Sequence, residues 1–337
     1  MIKTDIIIIG AGPVGLFTVF EAGLIKLRCH LIDALPIPGG QCAEIYPKKP
    51  IYDIPGYPSI LAGDLVDNLM EQIKPFKPGF TLGETAADIE KTADNQFIVT
   101  TKQGTKHQAP VVAIAGGLGV FIPRKPPISN LKDFEDKGVN YIVKEPETFK
   151  NKKLVISGGG DSALDWALFF ANQFASEVTL IHRSQSFRAH LDSVQKAMTM
   201  AENGKINLLL DSEVIELNGN GSLDSVVVRN KLKEKTTITT DFWLPLFGLS
   251  PKLGPMANWG LEIKKNAIVV DNATDYSTNI EGIYAIGDVN TYPGKLKLIL
   301  CGFHEATVMV QSAFKKIHPD KNNVLKYTTV SGVTGFD

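Results

Sequence analysis

A chain of 337 residues that is 44% hydrophobic and 21% charged is long enough to bury full cores in two domains. Its formal net charge of −1 gives no footprint for nucleic acid or for an anionic membrane surface. Three cysteines, Cys29, Cys42 and Cys301, form no CxxC pair, so neither a disulfide framework nor a zinc site is expected, and no metal is implied.

The apolar run Ile6 to Ile9 is flanked by Asp5, Pro13 and Glu21, which leaves no apolar span of about 20 residues. A cytoplasmic protein with no membrane segment is expected. The first elements read as strand 6–10, glycine loop, helix 14–24 and strand 28–33, in βαβ order. A continuous β-branched strand of this kind suits a parallel sheet buried on both faces. Residues 34–60, rich in Gly, Pro and Tyr, show no helical period and read as a long functional loop. A helix is predicted over 63–74, then strands around a turn at Gln103-Gly104. The breaker-rich stretch 116–127 marks a first domain crossing. A second βαβ unit follows, with strand 154–157, helix 162–174 and strand 177–182, and breakers at 246–255 mark the return.

The fold class is therefore α/β with two Rossmann-like, doubly wound domains. The first loop, GAGPVG, puts Gly10, Gly12 and Gly15 in the G-x-G-x-x-G pattern: a tight turn, close backbone approach to a pyrophosphate, and close helix–strand packing. Phosphates belong at the helix N-terminus, beside Gly12 and Pro13. Asp33 ends the next strand, where a carboxylate accepts hydrogen bonds from an adenosine ribose. The second loop, GGGDSA, sets Gly158, Gly160 and Ala163 in the same register, with Asp161 and Ser162 as N-terminal capping residues and nucleotide neighbours. Its second strand ends in His182 and Arg183, with Arg188 close behind, where an NAD enzyme would carry an acid. Arginines make charge-assisted bonds to a ribose 2′-phosphate, which selects NADP over NAD.

The first loop, together with the C-terminal IYAIGDV ending in Gly287-Asp288, resembles the two-dinucleotide-binding flavoproteins. More specifically, GAGPVGLF, GGQ, YPKKPIYDIPGYP, GGGDSALDWAL, IHRSQSFRAH, NWGLEI and KLKLILCGFHEA resemble the ferredoxin–NADP reductases of the thioredoxin-reductase-like type. That resemblance implies a discontinuous FAD domain, 1–117 with 248–337, and an NADP domain, 118–247. It implies FAD held by Gly10, Gly12, Pro13, Gly15, Asp33, Gly40, Gln41 and Asp288, with Tyr46 and, from the C-terminal tail, Tyr327 followed by Thr328 over the flavin. It places NADP(H) on Gly158, Gly160, Asp161, Ser162, His182, Arg183 and Arg188. Members typically show HRR at the second strand end, whereas here Ser184 replaces the second arginine, which weakens one phosphate contact that the resemblance implies.

The dithiol chemistries of related flavoproteins have no residues here. Pro47 stands where a partner for Cys42 would sit, and residues 141–153 hold no cysteine. Cys42 reads as a small apolar residue beside the flavin, with a sulfenic acid cycle as the alternative. The implied reaction is hydride transfer from NADPH to FAD followed by single electrons to ferredoxin, by a homodimer whose second domain rotates about the two crossings. No acid–base residue is required. The alternatives are a flavodoxin or a quinone as acceptor, or a non-catalytic NADP redox sensor.

Overall fold

A computed structural model describes residues 1–119, 122–250, 252–321 and 328–336. The chain divides into two compact units, Met1–Phe121 with Pro251–Asp337, and Ile122–Ser250. Among the described residues no helix is long and apolar enough to cross a membrane.

The larger unit is built on a five-stranded parallel sheet, in the spatial order Ile283–Ala285, Val111–Ile114, Ile6–Ile9, Cys29–Asp33, Gly79–Leu82. Ile6, Ile7 and Ile8 are fully buried because both faces of the sheet are covered. Each such side chain contributes roughly 1.5–3 kcal/mol relative to an exposed one. Helix Pro13–Leu24 packs against helices Ala62–Ile73 and Ile299–Ile317, with the Phe17 and Phe303 rings 4.6 Å apart. An antiparallel ribbon, Ala86–Lys91, Phe97–Thr101 and Lys106–Ala109, leaves this sheet and turns at 102–105 as its sequence predicts.

The smaller unit repeats the pattern with four parallel strands, ordered Asn207–Leu209, Glu177–Ile181, Lys153–Ser157, Phe242–Pro245. A three-stranded antiparallel sheet, Ser212–Asn218, Ser225–Asn230 and Lys235–Thr239, completes it. In both units the first strand of the sheet lies between the second and the fourth, which makes a switch point where the carboxyl ends of the strands open a crevice. The crossings run side by side: Ile122–Pro123 pairs with Leu249–Ser250, and Gly119 bridges Lys252.

One expectation is corrected. Residues 34–60 are not a structureless loop: they hold helix Gly40–Glu44 and the strand pair Pro50–Ile51 with Ile60–Leu61. A five-residue helix is too short to show a period, so its existence rests on tertiary contacts. Gly39, at φ +115°, donates its N–H to Ala11 O at 2.7 Å, and Cys42 is buried in the core. The chain's last described residues dock at the far end of helix Pro13–Leu24. Lys26 Nζ donates to Thr334 O at 2.9 Å and to Gly335 O at 3.0 Å, and the Arg28 guanidinium lies 4.5 Å from the Phe336 ring.

Candidate dinucleotide sites

The larger unit holds a cleft of about 1320 Å³, its open mouth included, at the switch point between Ile6–Ile9 and Val111–Ile114. Gly10, Gly12, Pro13, Asp33, Gly40, Gln41, Tyr46 and Asp288 all line it. Gly15 does not, because it lies behind the loop. Gly10 has φ +110°, and a Cβ there would sit 2.4 Å from Ala115 O; a Cβ on Gly15 would sit 2.0 Å from Gly10 O. Both glycines are therefore demanded by the protein's own backbone. Gly12 differs, since among the described residues a Cβ there would meet only Gly40 Cα, at 4.0 Å. The space above Gly12 is left for something other than protein, which is what a pyrophosphate requires. Gly12 is also the N-cap of helix Pro13–Leu24 and, among the described residues, no side chain caps it, which leaves the helix N-terminus available to an anion.

Asp33 ties the loop together. Its Oδ2 accepts the Ala11 N–H at 2.6 Å and its Oδ1 accepts the Leu35 N–H at 2.9 Å. Burial nevertheless raises its pKa from the ordinary aspartate value, against the lowering effect of these N–H groups. Burial also raises the pKa of Asp288, another lining residue, opposed by the charges of Lys297 and Lys295. Cys42 lies in the same wall; burial pushes its thiol up to about 11, so it stays protonated at neutral pH. All three cysteines are free thiols. Burial raises the Tyr46 phenol as well, and that residue stays half-buried at the cleft wall.

In the smaller unit the second loop has the same construction. A Cβ on Gly158 would lie 2.7 Å from Leu246 O, and a Cβ on Gly160 would meet nothing within 4 Å. The expected capping by Asp161 and Ser162 is corrected: the N-cap of helix Asp161–Gln173 is Gly160, with no side-chain cap. Asp161 instead accepts the His190 N–H on Oδ1 at 2.7 Å, because the returning loop 183–190 folds back over the helix start. The Arg188 N–H donates to Gly159 O at 2.7 Å, closing the same loop.

His182 is buried within this loop. Its ring fills the space beside Gly159, where a Cβ would lie 2.1 Å from it, and stacks on Phe187 at 4.7 Å. Its Nε2 is 3.0 Å from Ser186 O. Arg183 and Arg188 are exposed, and neither is paired with a carboxylate among the described residues. Thr328 is exposed at the start of the one-turn helix Thr328–Ser331, while Tyr327 lies outside the described residues.

Sequence reasoning missed the part played by helix Ile299–Ile317. Ile299 lines the cleft, and a Cβ on Gly302 would lie 2.4 Å from Val14 Cγ2, so the helix start is pressed against the first glycine loop. Its motif, KLKLILCGFHEA, was a signal without an assigned role.

The Pyridine nucleotide-disulphide oxidoreductase family pattern matches residues 4–313. The chain is 69% identical to Ferredoxin–NADP reductase 1 of Christiangramia forsetii, over 100% of this chain and 96% of that protein. It is 65% identical to the ferredoxin–NADP reductase of Flavobacterium johnsoniae, with the same coverage of both chains. Among solved structures it is similar to the thioredoxin reductase of Lactococcus lactis, at 26% identity and TM-score 0.80, covering 94% of this chain and 100% of the other. The chain belongs to the pyridine nucleotide-disulphide oxidoreductase family and, within it, to the ferredoxin–NADP reductases.

Proposed function

We propose that this chain transfers electrons between NADPH and a ferredoxin, with FAD held in the larger unit and NADP(H) on the glycine loop of the smaller. The observation that carries this reading is the cleft at the first loop. It has open space over Gly12, an uncapped helix N-terminus beside it, and two carboxylates, Asp33 and Asp288, in its lining. That donor set fits a dinucleotide whose phosphates meet backbone N–H groups and whose hydroxyls meet carboxylates.

FAD held in this cleft would supply the chemistry of accepting two electrons as a hydride and passing them on singly. The chain's own residues supply position and electrostatics. Gly10, Gly12 and Pro13 would shape the turn that aims the first-turn helix N–H groups at the pyrophosphate, and Gly15 lets the helix reach the strand. Asp33 takes the adenosine ribose and Asp288 the ribityl chain. Gly40 and Gln41 shape the wall, and Tyr46 stacks on the ring. Tyr327 and Thr328 of the tail are assigned to the ring's other face on family resemblance.

In the smaller unit Gly158, Gly160, Asp161 and Ser162 surround the NADP pyrophosphate, and Arg183 and Arg188 bind the 2′-phosphate. His182 holds their loop in place by its packing on Gly159 and Phe187. With no dithiol and no acid–base residue required, catalysis is a matter of holding donor and acceptor close and excluding water. A cytoplasmic homodimer is the assembly proposed.

The test is an absorbance spectrum of the purified protein followed by anaerobic NADPH addition. Bound flavin that bleaches, then reduces cytochrome only when ferredoxin is present, supports the reading. Absence of flavin defeats it, and reduction of flavodoxin or a quinone in preference to ferredoxin changes the acceptor.

A further inference from the structure

The motif containing Glu305 has no role in the reading above, yet Glu305 is fully buried on helix Ile299–Ile317 and carries four hydrogen bonds. Its Oε2 accepts the Gly287 N–H at 2.7 Å and an Asn290 Nδ2–H at 2.8 Å. Its Oε1 accepts the Tyr292 hydroxyl at 2.8 Å and the Lys295 ammonium. The Lys295 and Glu305 side chains are 6% and 1% exposed, so this is a buried ion pair. Asn290, buried too, donates to Ala285 O at 2.8 Å, which joins the network to the end of strand Ile283–Ala285.

The four donors come from Gly287 and from residues two to seven positions beyond Asp288, so one carboxylate clasps the turn that carries Asp288 from both sides. Gly287 sits in that turn at φ +75°, close against Val14 of the first glycine loop. Truncating a partner of such a pair leaves an uncompensated buried charge, which is far costlier than losing an exposed ion pair.

We propose that Glu305 is the positioning residue of the flavin-facing turn: paired with Lys295, it fixes the Gly287–Asp288 backbone and cancels a buried positive charge beside the FAD cleft. This rests on Asp288 facing the flavin. Lys295 and Lys297 are the cations near Asp288, and Glu305 is the opposing anion, so the pair sets the local field as well as the geometry. Removing either member unbalances that field in opposite senses.

The experiment measures FAD dissociation constant and flavin midpoint potential on purified holoenzyme. Glu305→Gln keeps an acceptor for the Gly287 N–H but leaves Lys295 uncompensated. It should weaken FAD binding by about tenfold and move the potential in the positive direction. Lys295→Met leaves Glu305 uncompensated and should move the potential in the negative direction. The double variant Glu305→Gln, Lys295→Met should return it towards wild type. If Glu305→Gln fails to fold, the Lys295→Met and double-variant potentials test the same claim. Potentials that stay at the wild-type value, or move in one common direction for both single variants, overturn the proposal. Asp288→Asn separates the two readings. If that change leaves FAD affinity and potential untouched, the assignment of Asp288 fails. If it alters them while the Glu305 and Lys295 variants do not, the positioning role alone fails.

Discussion

The two glycine loops stand at the same place in two sheets of the same order, yet they are braced differently. Gly10 pairs with the end of strand Cys29–Asp33 as Gly158 pairs with the end of Glu177–Ile181, through N–H bonds to Ile32 O and Ile181 O. Asp33 and His182 are thus positional equivalents. Asp33 braces its loop by accepting the Ala11 N–H; His182 braces its own by laying a ring on Gly159. The third position differs as well, since Gly15 has no room for a methyl and Ala163 carries one. A shared backbone shape is therefore reached by different side chains. On the proposed reading, the charge placed at the end of the second strand then decides which nucleotide each loop suits.

The sharpest way to break this comparison is at the third position. Gly15→Ala puts a Cβ 2.0 Å from Gly10 O, and overlap with backbone has no soft relief. Purified Gly15→Ala protein should retain almost no FAD, read as the ratio of flavin to protein absorbance. Ala163→Gly, the reverse exchange in the other loop, should leave the Michaelis constant for NADPH within a few-fold of wild type.

Cofactor choice gives the next largest effect. Hydrogen bonds to charged groups contribute roughly 1.5–3 kcal/mol each, so Arg183→Ala should remove about tenfold or more of the preference for NADPH over NADH. The loss should fall on NADPH alone, measured as kcat/KM for both nucleotides. His182→Ala, which collapses the loop rather than removing a phosphate ligand, should instead weaken both nucleotides together. An equal loss for both in Arg183→Ala would mean that Arg183 supports the loop and does not read the phosphate.

The larger unit also buries a pair of histidines. His30, Thr81 and His107 form a buried chain in the larger unit, with links of 2.8 and 2.9 Å through the Thr81 hydroxyl. Burial first, and the neighbouring His107 second, lower the His30 pKa from 6.5 to about 4. Burial lowers His107 as well. A depressed folded pKa means that these histidines stabilise the fold fully above pH 6.5 and lose that contribution as pH falls towards 4. Melting temperature and FAD retention should therefore decline together over that interval. Replacing His30 with Gln should flatten the decline, and an unchanged slope would remove the histidines as its cause.

The smallest effect is expected at the thiols. Cys42 is buried with its pKa raised to about 11, and no second cysteine is bonded to it. Replacing all three cysteines by serine or alanine should leave NADPH-to-ferredoxin transfer within a few-fold of wild type. Loss of turnover in the Cys42 variant with flavin still bound would restore a thiol step.

Much of this is local and was therefore legible. Glycine spacing, the β-branched strands before each loop and the acid or arginine after the second strand are set by backbone conformation and charge over some 30 consecutive residues. That is enough to place both βαβ units and to separate the nucleotide preferences. The helix Gly40–Glu44 was not legible, because five residues carry no period and its reason for forming lies in Ala11, from another part of the chain. His182 stood among the NADP-binding positions by its place in the chain, and only the packed structure shows its ring against Gly159 and Phe187.

By itself the sequence determined two dinucleotide folds, their order, and the charge that distinguishes their ligands, since these follow from φ freedom at glycine, helix dipoles and strand periodicity. Tertiary structure alone decided which groups meet across long separations. Glu305 reaches Gly287, Asn290, Tyr292 and Lys295 only because helix Ile299–Ile317 packs against the first glycine loop, pressed there by Gly302 on Val14. A buried carboxylate finds its counter-ion through that packing, and no pattern of residue types along the chain encodes the contact.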